Sequence, residues 1–535
     1  MDIYISTQKD AVDDIIEVYR RKYHRCNVTD NSIITIRSKL RDYMERIRED
    51  IHILIETDYV DKMYRDQYYN YYSTKRDDYY RDCIRISFFN SPIREETFFT
   101  KEGTLKAREE DDYLGFLLIR PTFPKIIGRN VLSPKALKPE LGNFRTCTTC
   151  FSATANGVKF DVTGFPHASQ DGEMLCCADI TIWAMMEYFG NKYPEYCVVL
   201  PSKTMTSLGN IMYQRQLPTA GLSIESISYA LKEHGLGPKI FSREEWDKDK
   251  DKEFEPLFSC YIESGLPIVV TIEDTNVPNS EGHAIICVGH VEENMEECLR
   301  DPEFETFGKT DGLINVYDWD KVRKEFIFMD DNCPPYQKAY LEEPLDYYKL
   351  EYYKEWKITH FIVPLYPKIY LDAHEAKQQI LSYIKNRKSC YLNPQWDDRI
   401  ILRTFLTSSR SYKQYIMHNE ELNRHIQQII LEMEFPKFVW VGELSAPEFV
   451  KDKKINGLII LDATEPRYIE NESLLFIANS TRIAYKSEKP TINKFREEYI
   501  EPDSAEKSKE NEINVLPLQP FNRFESNIKN FMYNI

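Results

Sequence analysis

The chain is too long for a single hydrophobic core. Its 535 residues predict roughly two to four domains. Hydrophobic residues make up 42% of the chain and charged residues 29%, which is typical of globular proteins with ample apolar material. Aromatic residues reach 13%, driven by 36 tyrosines, and aromatic side chains suit the pleated surface of strands. We therefore expect several globular units of mixed α+β structure.

Charge and patterning limit the partners and the compartment. The formal net charge of −17 repels phosphate backbones and anionic membranes, so neither nucleic acid nor membrane is an expected partner. The opening MDIYISTQKDAVDDIIEVYRRKY lacks the apolar segment of a signal peptide. No run approaches the roughly 18 apolar residues of a membrane-spanning helix. The 12 cysteines form no regular framework, which suits a reducing compartment. We expect a cytoplasmic protein.

Local patterns divide the chain into three predicted units. Residues 1–140 form a helical, tyrosine-rich α+β unit, in which the first 60 residues or so look mostly helical up to Ile55. Residues 141–367 form a core with an apolar helix followed by strands. Residues 368–535 form an α/β accessory domain.

The first chemical candidate is a polar loop that runs into a strongly apolar helix, Ala178 to Phe189, which Gly190 is expected to close. Cys176 and Cys177 stand at its start. Backbone N–H groups there are unpaired and carry partial positive charge, so they stabilise a thiolate. They can lower the pKa of a thiol from ~8.5 into the range ~3.5–7.5. Gln170, just upstream, could supply an amide to an oxyanion.

Two further candidates lie on predicted strands. His283 opens an apolar strand directly after a glycine, where its imidazole could take the thiol proton and later return it to a leaving group. Asp330 ends the strand beginning at Phe326, and a carboxylate there can orient the histidine ring and stabilise its cation. Asp331 follows directly and remains an alternative to Asp330.

Each fragment by itself also has a structural interpretation. A cysteine in an apolar helix is often a small buried hydrophobe, a histidine before a strand is often a hydrogen bonder, and an aspartate pair after a strand is often a turn. The order of the three on suitable elements favours a reactive site. The pair Cys147 and Cys150 has no second CxxC pair in the sequence, so neither a metal site nor a cofactor is predicted.

The order helix cysteine, strand histidine and strand-end acid resembles the papain-like cysteine peptidases. It is most similar to the bacterial branch that includes bacteriocin-processing peptidases. The resemblance covers about residues 160–345 and lies in these features: Gln170, Cys177-Ala178, Tyr188-Phe189-Gly190, LPIVV…GHAIICVGH and FIFMDDN. It implies a cysteine helix packed on an antiparallel sheet, with Cys177 as nucleophile, His283 as general base and acid, Asp330 as orienting residue and Gln170 as oxyanion donor.

The match to that family has departures. Papain-type enzymes usually place the glutamine six residues before the cysteine, and Gln170 is six before Cys176 but seven before Cys177. The small neighbour Ala178 favours Cys177, so Cys176 stays as the alternative. In the bacteriocin-processing group a glycine often follows the cysteine, and here that residue is Ala178.

The leading interpretation is a cytoplasmic thiol hydrolase, a cysteine peptidase that cleaves a peptide or isopeptide bond of a protein or peptide substrate. Two alternatives stay open. One is a transglutaminase-like acyl transferase or deamidase with the same triad. The other is an inactive papain-like scaffold that serves as a protein-interaction module. The acidic stretch 292–311 is expected to form an insertion or flap, which suggests regulation, including by a protein partner.

Three other polar residues are predicted to be structural. His290 lies seven residues beyond His283, so by the two-residue period of a strand it faces the opposite side. His167 precedes Gln170 and is expected to be an ordinary loop residue. Glu443 is expected near a strand end as a turn or cap residue.

Overall fold

The protein is described by a computed structural model. It has mixed α+β structure in which almost all strand pairs are antiparallel. Within the described ranges, no helix is both long and apolar enough to cross a membrane. The structure describes residues 2–24, 29–76, 79–93, 112–210, 221–248, 253–277, 282–292, 305–307, 314–348, 350–386, 399–465, 473–479, 482–486, 495–499 and 518–531.

The N-terminal part is a sheet with helices on one face. Its strands are β1 (Ile3–Thr7), β2 (His52–Tyr59), β3 (Cys83–Phe89), β4 (Tyr113–Ile119), β5 (Ile127–Leu132), β6 (Arg145–Thr146), β7 (Thr149–Ala155) and β8 (Val158–His167). Its helices are α1 (Ala11–Lys22), α2 (Asp30–Met44), α3 (Lys62–Asn70) and α4 (Pro139–Gly142). The predicted helical pattern up to Ile55 is wrong beyond Met44, because β2 continues the sheet there.

Seven of these strands form the first sheet, in the order β1-β2-β3-β4-β5-β8-β7, with every pair antiparallel. β3 and β4 are buried along their whole length. One face packs on α1 and α2, and the other packs beneath the β7–β8 hairpin. Burial on both faces explains why these strands read as nearly continuous apolar runs.

The middle part contains the predicted reactive residues. Its helices are α5 (Cys177–Lys192), α6 (Pro201–Leu208), α7 (Ile224–Glu233), α8 (Arg243–Lys248) and α9 (Phe254–Glu263). Its strands are β9 (Gly237–Ser242), β10 (Ile268–Asp274), β11 (His283–His290), β12 (Glu305–Phe307), β13 (Ile314–Asp318), β14 (Phe326–Met329), β15 (Gln337–Ala339) and β16 (Trp356–Leu365).

The second sheet runs β15-β14-β11-β10-β16-β9, and the short β6 also pairs with β11. α5 and α9 cover its opposite faces. Ala284, Ile286 and Val288 of β11 share a buried cluster with α5, whereas Ile285 and Cys287 share one with α9. Because side chains alternate along a strand, β11 packs against a helix on each face of the sheet. Its first residue, His283, lies at the end of the strand.

The C-terminal part forms a third sheet, in the order β12-β13-β17-β18-β20-β21-β22-β23. Among the strands that the structure describes here, only β13 and β17 pair in parallel, so this part is α+β rather than the predicted α/β. Its helices are α10 (Ala373–Asn386), α11 (Ser409–His418), α12 (Arg424–Glu432) and α13 (Pro447–Val450). Its strands are β17 (Arg399–Ser408), β18 (Phe438–Ser445), β19 (Lys454–Ile455), β20 (Gly457–Asp462), β21 (Leu474–Ala478), β22 (Arg482–Lys486), β23 (Phe495–Tyr499), β24 (Phe521–Asn522) and β25 (Lys529–Asn530).

The three sheets do not follow the predicted boundaries at residues 140 and 367. β7 and β8 lie beyond the first boundary but complete the first sheet, because β8 pairs with β5. β12 and β13 lie before the second boundary but belong to the third sheet through the β13–β17 ladder. Of the predicted acidic flap 292–311, Glu292 and β12 are described, and the rest lies outside the described residues.

Candidate active site

The first turn of α5 separates the two neighbouring cysteines. Cys176 is the residue before the helix, and both its backbone N–H (3.1 Å) and its thiol (3.2 Å) donate to Asp179 Oδ2. This contact holds the Cys176 side chain against the helix start, where it is buried. Cys177 is the first helical residue and is partly exposed. Only Cys177 therefore combines the helix terminus with access to solvent.

Cys177 meets the imidazole of His283. The protonated Cys176 thiol lowers the pKa of Cys177, and hydrogen bonds from His283 and the Ala284 N–H lower it further, against the opposing effect of burial. Contact with Cys177, together with burial and Asp179, raises the pKa of Cys176. The directions of these shifts favour Cys177 over Cys176 as the thiol that ionises first.

Asp330 lies directly behind the His283 ring. His283 Nε2 is 3.0 Å from Asp330 Oδ1 and 3.7 Å from Asp331 Oδ1. Burial alone would lower the pKa of His283, but the charge of Asp330 and its hydrogen bond raise it well above the usual value. Burial likewise opposes ionisation of Asp330, yet His283 holds the pKa of that carboxyl below its usual range. The contact with Asp330 therefore favours the protonated form of His283.

Asp330 is fixed by donors on all sides. Its Oδ2 accepts hydrogen bonds from the hydroxyls of Tyr347 and Tyr348, each at 2.9 Å, and its Oδ1 also accepts the Asn332 N–H at 3.0 Å. The side chain has no exposed surface. A carboxylate that receives several hydrogen bonds is favoured in its charged form, so Asp330 presents a fixed negative charge to His283.

His167 supports the same segment and is not the loop residue that the sequence predicts. It ends β8 and is 2% exposed. Its Nε2 donates to the Asp330 carbonyl oxygen at 2.9 Å, and its Nδ1 accepts from the Asn130 amide at 3.1 Å. Burial lowers the pKa of His167, consistent with the neutral tautomer that these partners require.

Asp331 and Gln170 occupy the other side of the histidine. Gln170 donates its backbone N–H to Asp331 Oδ2 at 3.3 Å and its amide Nε2 to Asn332 Oδ1 at 3.1 Å. Asp331 is buried, and its Oδ1 has no hydrogen-bond partner among the residues that the structure describes. Burial, the principal cause, and the charge of Asp330 raise the pKa of Asp331 to about 8, against the opposing effect of His283. Burial therefore favours the neutral form of Asp331 more than that of Asp330.

The same groups also satisfy the spacing of a cation site. One atom each of His283, Asp330 and Asp331 lies within 4.8 Å of the others. A metal ion there would have to replace the hydrogen bond between His283 Nε2 and Asp330. Carboxylate and imidazole ligands suit several divalent metals, so a chelator control belongs in any assay of this site.

The structure brings Cys177, His283 and Asp330 together, with Cys176, Asp331 and Gln170 next to them. Sequence reasoning missed the two tyrosines on Asp330 and the lysine at position 125, whose side chain lies against the loop before α5. The only local signal for the tyrosines is the Tyr347-Tyr348 pair itself, because nothing in the sequence connects it with a strand end 17 residues earlier.

Two residues set aside as structural belong to a buried ionic cluster on the opposite face of the second sheet. His290 Nε2 lies 3.0 Å from Glu263 Oε1 on α9. Arg403 bridges Glu263 Oε2 and Glu443 Oε2, each at 2.9 Å. Glu443 therefore lies within β18 as a buried ion-pair partner, and its predicted role as a turn or cap residue is wrong.

Comparison with known proteins gives no assignment. No protein-family model matches the chain, and neither the curated proteins nor the solved structures contain a significant match. The interpretation of the site therefore depends on the residues and distances described above.

Proposed function

We propose that the protein is a thiol hydrolase of papain-like mechanism that cleaves a peptide or isopeptide bond through an acyl-enzyme on Cys177. The single observation that carries the proposal is the chain of contacts Cys177–His283–Asp330, in which a cysteine at a helix start faces an imidazole that is hydrogen-bonded to a buried carboxylate. The directions of the pKa shifts favour a thiolate on Cys177 and a proton on His283. Such a thiolate–imidazolium pair supplies both a nucleophile and a general acid.

The first step is attack by the Cys177 sulfur on the substrate carbonyl carbon. The carbonyl π electrons move to oxygen and form an oxyanion. The N–H groups at the start of α5 have no partner within the helix and can donate to this oxygen. Gln170 is the candidate side-chain donor, since one N–H of its amide is directed to Asn332 and an amide carries two.

Collapse of the tetrahedral intermediate breaks the C–N bond. The leaving amine takes the proton of His283 and departs, and Cys177 retains the acyl group as a thioester. The neutral His283 then accepts a proton from water while the water oxygen attacks the thioester carbonyl. Release of the acid restores the Cys177 thiolate and the His283 imidazolium. Asp330 stays ionised throughout and stabilises the imidazolium.

Matched cysteine variants test the proposal. In a fluorogenic peptide library, Cys177→Ala should lower turnover by about 10⁴-fold or more, because it removes the nucleophile. Cys176→Ser keeps a hydroxyl donor for Asp179 and should retain turnover within about tenfold. Activity in Cys177→Ala, or insensitivity of cleavage to both variants, contradicts the proposal.

Two additions define the reaction further. An added primary amine that is incorporated into product identifies an acyl transferase, whereas its exclusion identifies a hydrolase. Addition of EDTA should leave turnover unchanged, because the proposed steps use no metal ion. Loss of turnover with EDTA would assign the His283, Asp330 and Asp331 cluster to a cation instead.

A further inference from the structure

One buried atom beside the candidate catalytic histidine is not used by the proposed reaction. Asp331 is 4% exposed, and within the described part of the chain its Oδ1 has no hydrogen-bond partner. This oxygen lies 3.7 Å from His283 Nε2, which is beyond the reach of a hydrogen bond. Buried polar atoms of native proteins are almost always paired with protein, water or an ion. Asp331 Oδ1 therefore calls for a partner at this place.

The two carboxylates are oriented towards the histidine in the same way. Asp330 Oδ2 accepts the hydroxyls of Tyr347 and Tyr348, each at 2.9 Å. Asp331 Oδ2 accepts the Gln170 N–H at 3.3 Å. The Oδ1 atoms of the two carboxylates both face the imidazole, at 3.0 and 3.7 Å from its Nε2. Donors to one oxygen of a carboxylate fix the direction of the other, as outer contacts do for metal ligands.

The separations of these atoms suit a small divalent cation. Zn²⁺ binds nitrogen and oxygen in a tetrahedron at about 2.0–2.1 Å, so neighbouring ligand atoms lie about 3.3–3.4 Å apart. The distances of 3.0 and 3.7 Å from His283 Nε2 to the two carboxylates lie on either side of that value. All three ligand atoms lie within 4.8 Å of one another. Ca²⁺ needs about six to eight oxygen ligands, so one imidazole and two carboxylates favour an ion of the zinc class.

The histidine gives such an ion access to the buried acids. The side chains of Asp330 and Asp331 are 0% and 3% exposed, whereas that of His283 is 12% exposed. An ion that arrives from solvent therefore meets the imidazole first. The net charge of the chain, −17, attracts cations to its surface.

We propose that His283, Asp330 and Asp331 form a binding site for a divalent cation of the zinc class, and that the bound ion switches off the proposed hydrolase. The switch rests on the proposed function, whereas the binding itself does not. Three protein ligands leave the fourth tetrahedral position to water. The site thereby gives the enzyme a reversible inactive form that depends on the available metal.

Binding of the ion removes groups that the reaction uses. The ion takes the lone pair of His283 Nε2, the proton at that nitrogen passes to solvent, and the hydrogen bond to Asp330 is lost. The imidazole then has its one remaining proton on Nδ1, and donation of that proton would leave an unfavourable imidazolate anion. Cys177 accordingly loses its acid and base partner. No covalent bond of the chain forms or breaks, so removal of the ion restores the starting state.

Metal binding is measured first without the reactive sulfur. In full-length Cys177→Ala, calorimetric titration with Zn²⁺ should show one site per chain. Asp331→Asn in that background keeps an acceptor for the Gln170 N–H but removes the charge, and it should weaken binding about tenfold or more. Asp161→Asn is the matched control, because it removes the same charge from an exposed residue of β8, and it should leave the affinity unchanged. Absence of a one-to-one site, an unchanged affinity in Asp331→Asn, or equal weakening in both variants overturns the proposal.

X-ray absorption at the zinc edge identifies the ligands in the wild type and so does not depend on how any variant folds. With one equivalent of Zn²⁺, the first coordination shell should contain nitrogen and oxygen at about 2.0–2.1 Å. A sulfur neighbour at about 2.3 Å would place the ion on a cysteine and would overturn the site of three residues.

Inhibition separates this inference from the proposed function. Added Zn²⁺ should lower wild-type turnover about tenfold or more, and EDTA should restore it. The Zn²⁺ concentration that halves turnover should be about tenfold higher or more in Asp331→Asn, with each protein compared with its own metal-free rate. Zinc binding by a chain without turnover contradicts only the hydrolase. Turnover that Zn²⁺ does not slow, or that it slows equally in the two proteins, contradicts only the metal switch.

Discussion

Two histidines at opposite ends of β11 each lie close to a buried carboxylate, and the groups around the two pairs differ. His283 and His290 each place Nε2 3.0 Å from a buried carboxylate, Asp330 and Glu263 respectively. His283 also contacts a partly exposed thiol. His290 is 2% exposed, and its acid is shared with Arg403 and lies 3.8 Å from Lys324.

The comparison shows that a buried histidine–carboxylate pair does not define a reactive site. At His290 the carboxylate lies among cations, and the cluster connects α9, β11, β17 and β18. Its role is therefore to join the second and third sheets. At His283 the group beyond the ring is the partly exposed thiol of Cys177. The solvent access of the neighbouring thiol, rather than the histidine–carboxylate pair itself, distinguishes the candidate active site.

The largest expected difference between the two ends is in turnover. His283→Gln should lower kcat by about 1000-fold or more, because the general acid and base is lost. His290→Gln should change kcat less than about twofold and should lower stability instead. Steady-state kinetics on both variants measures the contrast. Similar losses of kcat in the two variants would remove the distinction.

We expect the two carboxylates to differ in the same way, with Asp330 affecting turnover and Glu263 affecting stability. Asp330→Ala should lower kcat on the order of 100-fold, since His283 loses the group that orients and charges it. Glu263→Ala leaves Arg403 and its neighbours with a missing buried anion and should lower the free energy of unfolding by about 3–5 kcal/mol. Urea unfolding and kcat measured together decide between the roles, and a large kcat loss confined to Glu263→Ala would reverse the assignment.

The pH profile should also depend on Asp330. Its carboxylate raises the pKa of His283, so the imidazolium persists to high pH. Asp330→Asn keeps a hydrogen-bond acceptor but removes the charge. The pKa of His283 then falls, and the basic limb of the kcat/KM profile should move to lower pH by about one unit or more. A basic limb that does not move would show that Asp330 leaves the charge of His283 unaffected.

The smallest expected effect concerns the two tyrosines, which contact Asp330 and have no counterpart among the described contacts of Glu263. Tyr347→Phe and Tyr348→Phe each remove one hydroxyl donor to Asp330 Oδ2. Each should lower kcat about fivefold, since one hydrogen bond contributes on the order of 1 kcal/mol. The double variant should also shift the basic limb of the pH profile. A loss of stability without that shift would indicate a packing role alone.

The sequence predicted the local parts of the site well. The predicted strand from His283 to His290 matches β11 residue for residue, the strand before Asp330 matches β14, and the helix start at the two cysteines matches α5. These elements have strong local patterns: an apolar run with a clear beginning, or a polar loop followed by an apolar helix.

Features set by distant parts of the chain were not predictable. Gly190 was expected to end the helix, but α5 continues to Lys192. A Cβ at Gly190 would lie 2.5 Å from the Val198 backbone nitrogen, so the glycine permits close packing of the following chain. The spacing of Ile51 and Ile55 fits a helix. Ile51 instead directly precedes β2 and Ile55 lies within it, because pairing of β2 with β1 and β3 outweighs local spacing. His167 likewise reaches the site through tertiary structure.

The most direct test of the account compares thiols within one molecule. Cys177 is only partly exposed, whereas Cys197 is exposed, so accessibility alone would make Cys197 react faster. At pH 6, where an ordinary thiol with a pKa of ~8.5 is almost fully protonated, we expect iodoacetamide to label Cys177 about 100-fold faster than Cys197, and we expect His283→Gln to remove that advantage. Equal labelling of the two thiols, or a fast Cys177 that is unaffected by His283→Gln, would contradict the thiolate–imidazolium pair.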